Sequence, residues 1–311
     1  MSIPAALRLT SPYRVALLFM VGSATAWGTG TVMSKYSLSY FPPFTLLVVQ
    51  LAASVAVLWI LVFFRKMQPA FNLTSLQLGS TGILEPGLAF VLALIGLART
   101  SASVASFIGA TESFMVIIFA YLLLRERVTR RTLFLMLLTL AGVILISSTD
   151  TEGGTSHALI GDLLVLGGTA SAALYVVVSS RSVSQMEPLP LAALQQTFGL
   201  LFGLVVLPIG LAVGEASRLA SIPILVWLWA MLNGIIQYML AFLFYLTALK
   251  GMPATRAALY LTLIPVFGAV ESFLFLGEQM TLVQLIGGSF ILVALIALKQ
   301  TNNPTQAENT N

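Results

Sequence analysis

The 311-residue chain carries 15 basic and 11 acidic side chains, so only 8% of it is charged, against about 25% in ordinary soluble domains. With 58% apolar residues and a mean hydropathy of +0.99 it cannot cover a water-facing surface. That excludes a soluble enzyme, a disordered protein and a nucleic-acid binder, and it points to a polytopic membrane protein.

A spanning helix needs about 20 mostly apolar residues, and ten segments qualify, at roughly 14–34, 44–64, 76–97, 101–124, 131–148, 159–180, 189–213, 222–248, 254–276 and 282–299. Span 1 follows Arg8 and Arg14 but contains Trp27, runs past signal-peptide length and lacks a clear cleavage site, so it reads as a retained helix. Gly22, Ala26, Gly30 and Ser34 recur along it every four positions, a packing stripe. Span 2 carries Gln50. Span 3 holds Glu85 followed by Pro86, which frees a backbone carbonyl one turn earlier. Span 4 holds Glu112 beyond a second small-residue series, Ser103, Ser106 and Gly109. Glu126 and Glu278 end spans 4 and 9, where they suit capping of the next helix.

Residues 149–158 form the longest connection, a periplasmic loop too small for a domain, and hold the single histidine, His157. Asp162 lies near enough to the start of span 6 to be solvated, and Tyr175 lies deeper. Gln195 and Gln196 sit in span 7. Asn233, Gln237, Tyr238 and Tyr245 sit in span 8, and Tyr260, Pro265 and Glu271 in span 9. The tail 301–311 is polar and reads as disordered.

With the N-terminus in the cytoplasm, twelve Lys and Arg fall on the inner side (among them Arg65, Arg131, Arg181, Lys250 and Arg256), and three, Lys35, Arg99 and Arg218, on the outer. That bias sets the orientation, puts both termini inside and makes a bacterial inner membrane the simplest home.

The sequence also repeats itself. At an offset of 146, residues 17–50 meet 163–196, pairing Lys35 with Arg181, Pro42 with Pro188 and Gln50 with Gln196. At 152, "GILEPGLAFVLALIGL" meets "GIIQYMLAFLFYLTAL", pairing Glu85 with Gln237, and "LLLRERVT" meets "LFLGEQMT". Two units, 1–148 and 159–300, each contribute five spans. Five is odd, so the second unit enters from the opposite side, the inverted-repeat architecture of many secondary transporters.

Charges at membrane depth are costly, which makes the few present informative. Glu85 and Gln237, equivalent in the two units, are expected to face a shared cavity. There Glu85 attracts a substrate ammonium or titrates, or it stays protonated and merely bonds Gln237. Glu112 and Pro265 interrupt spans 4 and 9 at matching places, either lining a pathway or serving packing. Glu271 favours a solvated or structural charge. Gln50, Asn233 and Gln237 suit the polar end of a substrate. Trp27, Tyr175, Tyr238 and Tyr260, with Tyr245, suit an apolar or aromatic body, although each alone also fits a core or an interface belt. No Walker motif, G-x-S-x-G or H-E-x-x-H is present, Cys is absent, and one His cannot build a multi-His centre. No enzyme activity, cofactor or metal is expected.

The pattern W-G-x(6)-K at Trp27, Gly28 and Lys35, together with "LIPVFGAVESFLFLGEQMT", where Pro265 precedes Gly277 and Glu278, resembles the drug/metabolite transporter superfamily, EamA branch. Within it the look is nearest the aromatic amino-acid exporters of the YddG type. The chain departs from the family at Gln50, where Arg is common, at Glu112–Ser113, and at Arg125 before Glu126. The resemblance implies a central cavity among spans 1, 3, 4, 6, 8 and 9, with spans 5 and 10 apart from it and available for a homodimer contact. The reading is an all-α, ten-span exporter of amino acids or related small amphipathic metabolites, working by alternating access and open to proton coupling. A nucleotide-sugar or sugar-phosphate exchanger and a non-transporting scaffold or scramblase remain alternatives.

Overall fold

The computed structural model describes residues 11–70, 72–109, 111–124, 130–147, 155–179, 182–210, 219, 222–251, 257, 260–261, 263–277 and 281–301. Among them there is no strand. The readings of Glu126, Glu278, Arg256, the loop 149–154 and the tail beyond 301 lie outside the described residues.

Helices α1 (Ser11–Ser37) and α2 (Pro43–Phe64) are continuous, and α2 opens on a proline at its first helical position, where no amide is needed. Helix α3 (Leu73–Leu97) starts on Asn72, whose side chain accepts from Ser75 N at 2.9 Å. Span 4 is two helices, α4 (Ala102–Gly109) and α5 (Glu112–Leu124), where the sequence suggests one. Then come α6 (Arg130–Ser147), α7 (Thr155–Ser179), α8 (Pro188–Gly210), α9 (Ile224–Leu249), α10 (Ile264–Glu271, continued by a wider turn over Ser272–Leu276) and α11 (Leu282–Thr301). Six helices among the described residues (α1, α2, α3, α7, α8 and α9) are long and apolar enough to cross a membrane.

The outward faces suit lipid. Phe63, Phe64, Val205, Ile224, Leu225 and Phe275 stand mostly exposed, a surface that water would not tolerate and acyl chains would cover. Polar side chains turn inward instead: Gln50, Gln195, Gln196 and Asn233 are fully buried. Asp162, expected to be solvated near the interface, is buried as well, because α7 packs along α3 through Gly96, Gly161 and Gly168.

Two interruptions shape the centre. In α3 the helix tightens at Thr81–Ile83 and widens at Leu84–Leu88, and Glu85 takes extended angles (φ −148°, ψ 123°) before a cis bond to Pro86. The Leu84 carbonyl accepts both Ala89 N and the Ser171 hydroxyl, the latter at 3.0 Å, so α7 satisfies the backbone that Pro86 disturbs. In α9 a matching wide turn runs over Ile235–Leu240. Away from the centre, α6 and α11 pair closely, with Gly142 against the Gly287 carbonyl.

Candidate functional site

A cavity of about 140 Å³ lies among α1, α3, α4, α5, α7, α9 and the start of α10. That is space for several waters or a small solute. Its lining comes from the spans that the resemblance implies.

Five of the nine residues singled out from sequence meet there: Trp27, Glu85, Glu112, Tyr175 and Gln237. The break in α3 aims Glu85 inward, and the break between α4 and α5 places Glu112 in the first turn of α5. Trp27 packs edge-on against Phe242 at 5.2 Å and near Tyr245 at 5.6 Å, and its Nε1 is enclosed without a partner among the described residues. The remaining wall includes Phe90, Tyr245, Thr31 and Thr169. Apart from the two carboxylates, no charged side chain lines it among the described residues. Aromatic faces and carboxylates are groups that can attract a cation and cover an apolar body.

The other four lie elsewhere. Gln50 and Asn233 are fully buried and donate to the Ser34 hydroxyl at 3.1 and 2.9 Å. Ser34 in turn donates to Gln237 Oε1 at 2.8 Å. Tyr238 is enclosed one residue past Gln237, on another face of the helix, with its ring 4.6 Å from Phe90. Tyr260 packs on the cluster of Leu246 and Leu261. Gln195 accepts from the Tyr175 hydroxyl and donates to Thr81 Oγ1, both at 3.0 Å. Gln196 accepts from Ser54 and donates to the Tyr238 carbonyl. Glu271 is outside the cavity: Thr29 Oγ1 lies 3.1 Å from it and 2.9 Å from the Thr25 carbonyl, two acceptors for one hydroxyl proton.

Each residue of the W-G-x(6)-K pattern has its own task. Trp27 is cavity wall. At Gly28 a Cβ would lie 2.8 Å from Phe267 Cβ and 3.0 Å from Gly268 N, so glycine lets α1 and α10 cross. Lys35 Nζ donates to the Leu97 carbonyl at 3.3 Å and to that of Thr100, tying the end of α1 to the end of α3. Lys35→Met is expected to lower stability by about 2 kcal/mol, the size of a charge-assisted bond pair. Thermal unfolding in detergent measures this, and a midpoint equal to the parent's refutes it.

The EamA-like transporter family model matches the chain twice, over residues 14–148 and 159–299. The chain belongs to the EamA-like transporter family. Uncharacterized transporters YetK and YvbV of Bacillus subtilis (strain 168) are 26% and 28% identical, over 90% of this chain and 87% and 90% of theirs. A solved crystal structure has the same fold at a TM-score of 0.62 and 16% identity, covering 93% of this chain and 99% of that one. An EamA-like protein with six such apolar helices is a multi-pass membrane transporter.

Proposed function

We propose that this transporter exports small amphipathic metabolites bearing an ammonium group, aromatic and other amino acids among them, by alternating access across a bacterial inner membrane. The observation that carries the reading is the pairing of Glu85 and Glu112 in one aromatic cavity. The carboxylates would meet the ammonium or carry a proton against it, and Trp27, Tyr175, Tyr245 and Phe90 would hold the side chain.

The twofold family match supports reading the chain as two copies of one unit, and their odd span count supports opposite insertion. Similar local geometry in the two copies adds to this. Gly82 and Gly234, related by the offset of 152, each press on a glutamine backbone carbonyl, that of Gln195 and of Gln50. Matching Gln50 with Gln195 is supported by these contacts and by their equal distance from the helix starts, Pro43 in α2 and Pro188 in α8. A phosphorylated substrate would need basic groups at the cavity. Lys250 instead pairs with Glu187 at the surface.

Purified protein in liposomes, given a panel of labelled amino acids, aromatic amines and sugar phosphates, should move the first two classes without ATP. Transport of sugar phosphates alone, or of nothing, would overturn the proposal. A steric variant separates the cavity from the fold. A Cβ at Gly109 meets nothing within 4 Å among the described residues, and Gly109 lines the cavity. Gly109→Leu should therefore unfold with the parent while its transport falls about tenfold, the scale of about 1.4 kcal/mol lost to filled space. Parallel loss of stability and transport would contradict this.

A further inference from the structure

We propose that Ser34 and Gln195 centre two hydrogen-bonded latches on opposite sides of the cavity, and that each open state requires one latch to part. The inference rests on the alternating-access reading above. On the far side, where α1 ends, the Ser34 hydroxyl accepts from Gln50 and Asn233 and donates to Gln237. Its one proton and two lone pairs are thereby all engaged. On the near side, where α1 begins, Gln195 accepts from Tyr175 and donates to Thr81.

Three features make these more than packing contacts. Each latch joins the first unit to the second: Ser34 and Gln50 to Asn233 and Gln237, and Thr81 to Tyr175 and Gln195. Asn233 and Thr81 are also equivalent under the offset of 152, so the two latches occupy corresponding places. Each latch finally puts one member in the cavity wall, Gln237 on the far side and Tyr175 on the near side. The Tyr175 hydroxyl has a single proton, so a solute acceptor that takes it removes it from Gln195. Occupancy of the cavity is thus linked directly to one latch.

The chemistry gives each latch two states. Buried amides and hydroxyls without partners are costly in a low-dielectric surround, so a latch stays closed while its side is dry. It parts only when water enters to replace the lost bonds, which is what an open vestibule supplies. Breaking one latch while keeping the other gives access from one side.

The chain has no cysteine, which permits a test that needs no substrate. Thr31, in the cavity wall on α1, is changed to cysteine as the sole thiol. A small membrane-impermeant charged thiol reagent is then applied from either face of sealed vesicles of known orientation. In the Gln195→Ala background, labelling should rise from the near side by about fivefold or more and fall from the far side, as expected for loss of one or two such bonds. In the Gln50→Ala background the signs should reverse. Ser34→Ala and Thr81→Val remove the partner groups with less disturbance and should give the same signs as Gln50→Ala and Gln195→Ala, respectively, should the glutamine variants fail to fold. Labelling that changes alike in both backgrounds, or in neither, overturns the latches. Uptake by the parent in liposomes is scored separately: normal uptake with unchanged labelling sinks the latches alone, and absent uptake sinks the transport reading beneath them.

Discussion

Gly82→Val and Gly234→Val should each leave little monodisperse protein after detergent extraction, with a stability loss of about 3 kcal/mol or more, at the upper end of overpacking effects. At Gly82 a Cβ would fall on the Gln195 carbonyl oxygen and within 2.8 Å of Gln195 Cα. At Gly234 it would fall on the Gln50 carbonyl oxygen and within 2.7 Å of its carbon. The obstacle in both cases is backbone inside a helix, which cannot rotate away as a side-chain tip can. The helices would have to separate, and the buried bonds of Gln50 and Gln195 would separate with them. Gly109→Ala, where a Cβ meets nothing among the described residues, is the matched control and should extract and melt as the parent does. If Gly82→Val or Gly234→Val melts with that control, the close approach is not what holds these crossings.

Sequence reveals most of this fold because a bilayer imposes a simple rule: a crossing needs a long apolar run, and a polar residue inside one stands out. Trp27, Glu85, Glu112, Tyr175 and Gln237 are conspicuous for that reason, and they share the cavity. What sequence does not reveal is direction. Tyr238 and Gln237 are neighbours in the chain, yet one is enclosed by aromatic core and the other faces the cavity, because successive residues of a helix point in different directions. Gln50 and Asn233 are legible as buried polar groups, but their partner is Ser34, which reads from sequence as one small residue in a packing stripe. A serine hydroxyl announces neither role until three donors and acceptors converge on it. Thr31 and Thr169 escape notice because each hydroxyl satisfies itself on the carbonyl four residues earlier, a pattern common to buried threonines.

Converting Glu85 and Glu112 together to glutamine should weaken transport of ammonium-bearing solutes by about 30-fold or more, the effect of removing the partner of a desolvated charge at about 2–5 kcal/mol. Glutamine keeps the shape and hydrogen-bonding reach of glutamate, so the cavity and the break in α3 should persist and the melting curve should change little. Each single variant should lose less than half of that free energy, so that the double variant exceeds the sum of the two, because one carboxylate left in the same cavity can still meet the cation. The aromatic wall of Trp27, Phe90, Tyr175 and Tyr245 is untouched, so neutral analogues that keep the apolar body and lack the ammonium should bind as before or better. Competition between such analogues and labelled amino acids in proteoliposomes reads the two contributions apart. A double variant that moves ammonium solutes as well as the parent would remove the carboxylates from recognition. The aromatic faces alone would then have to account for what the cavity holds.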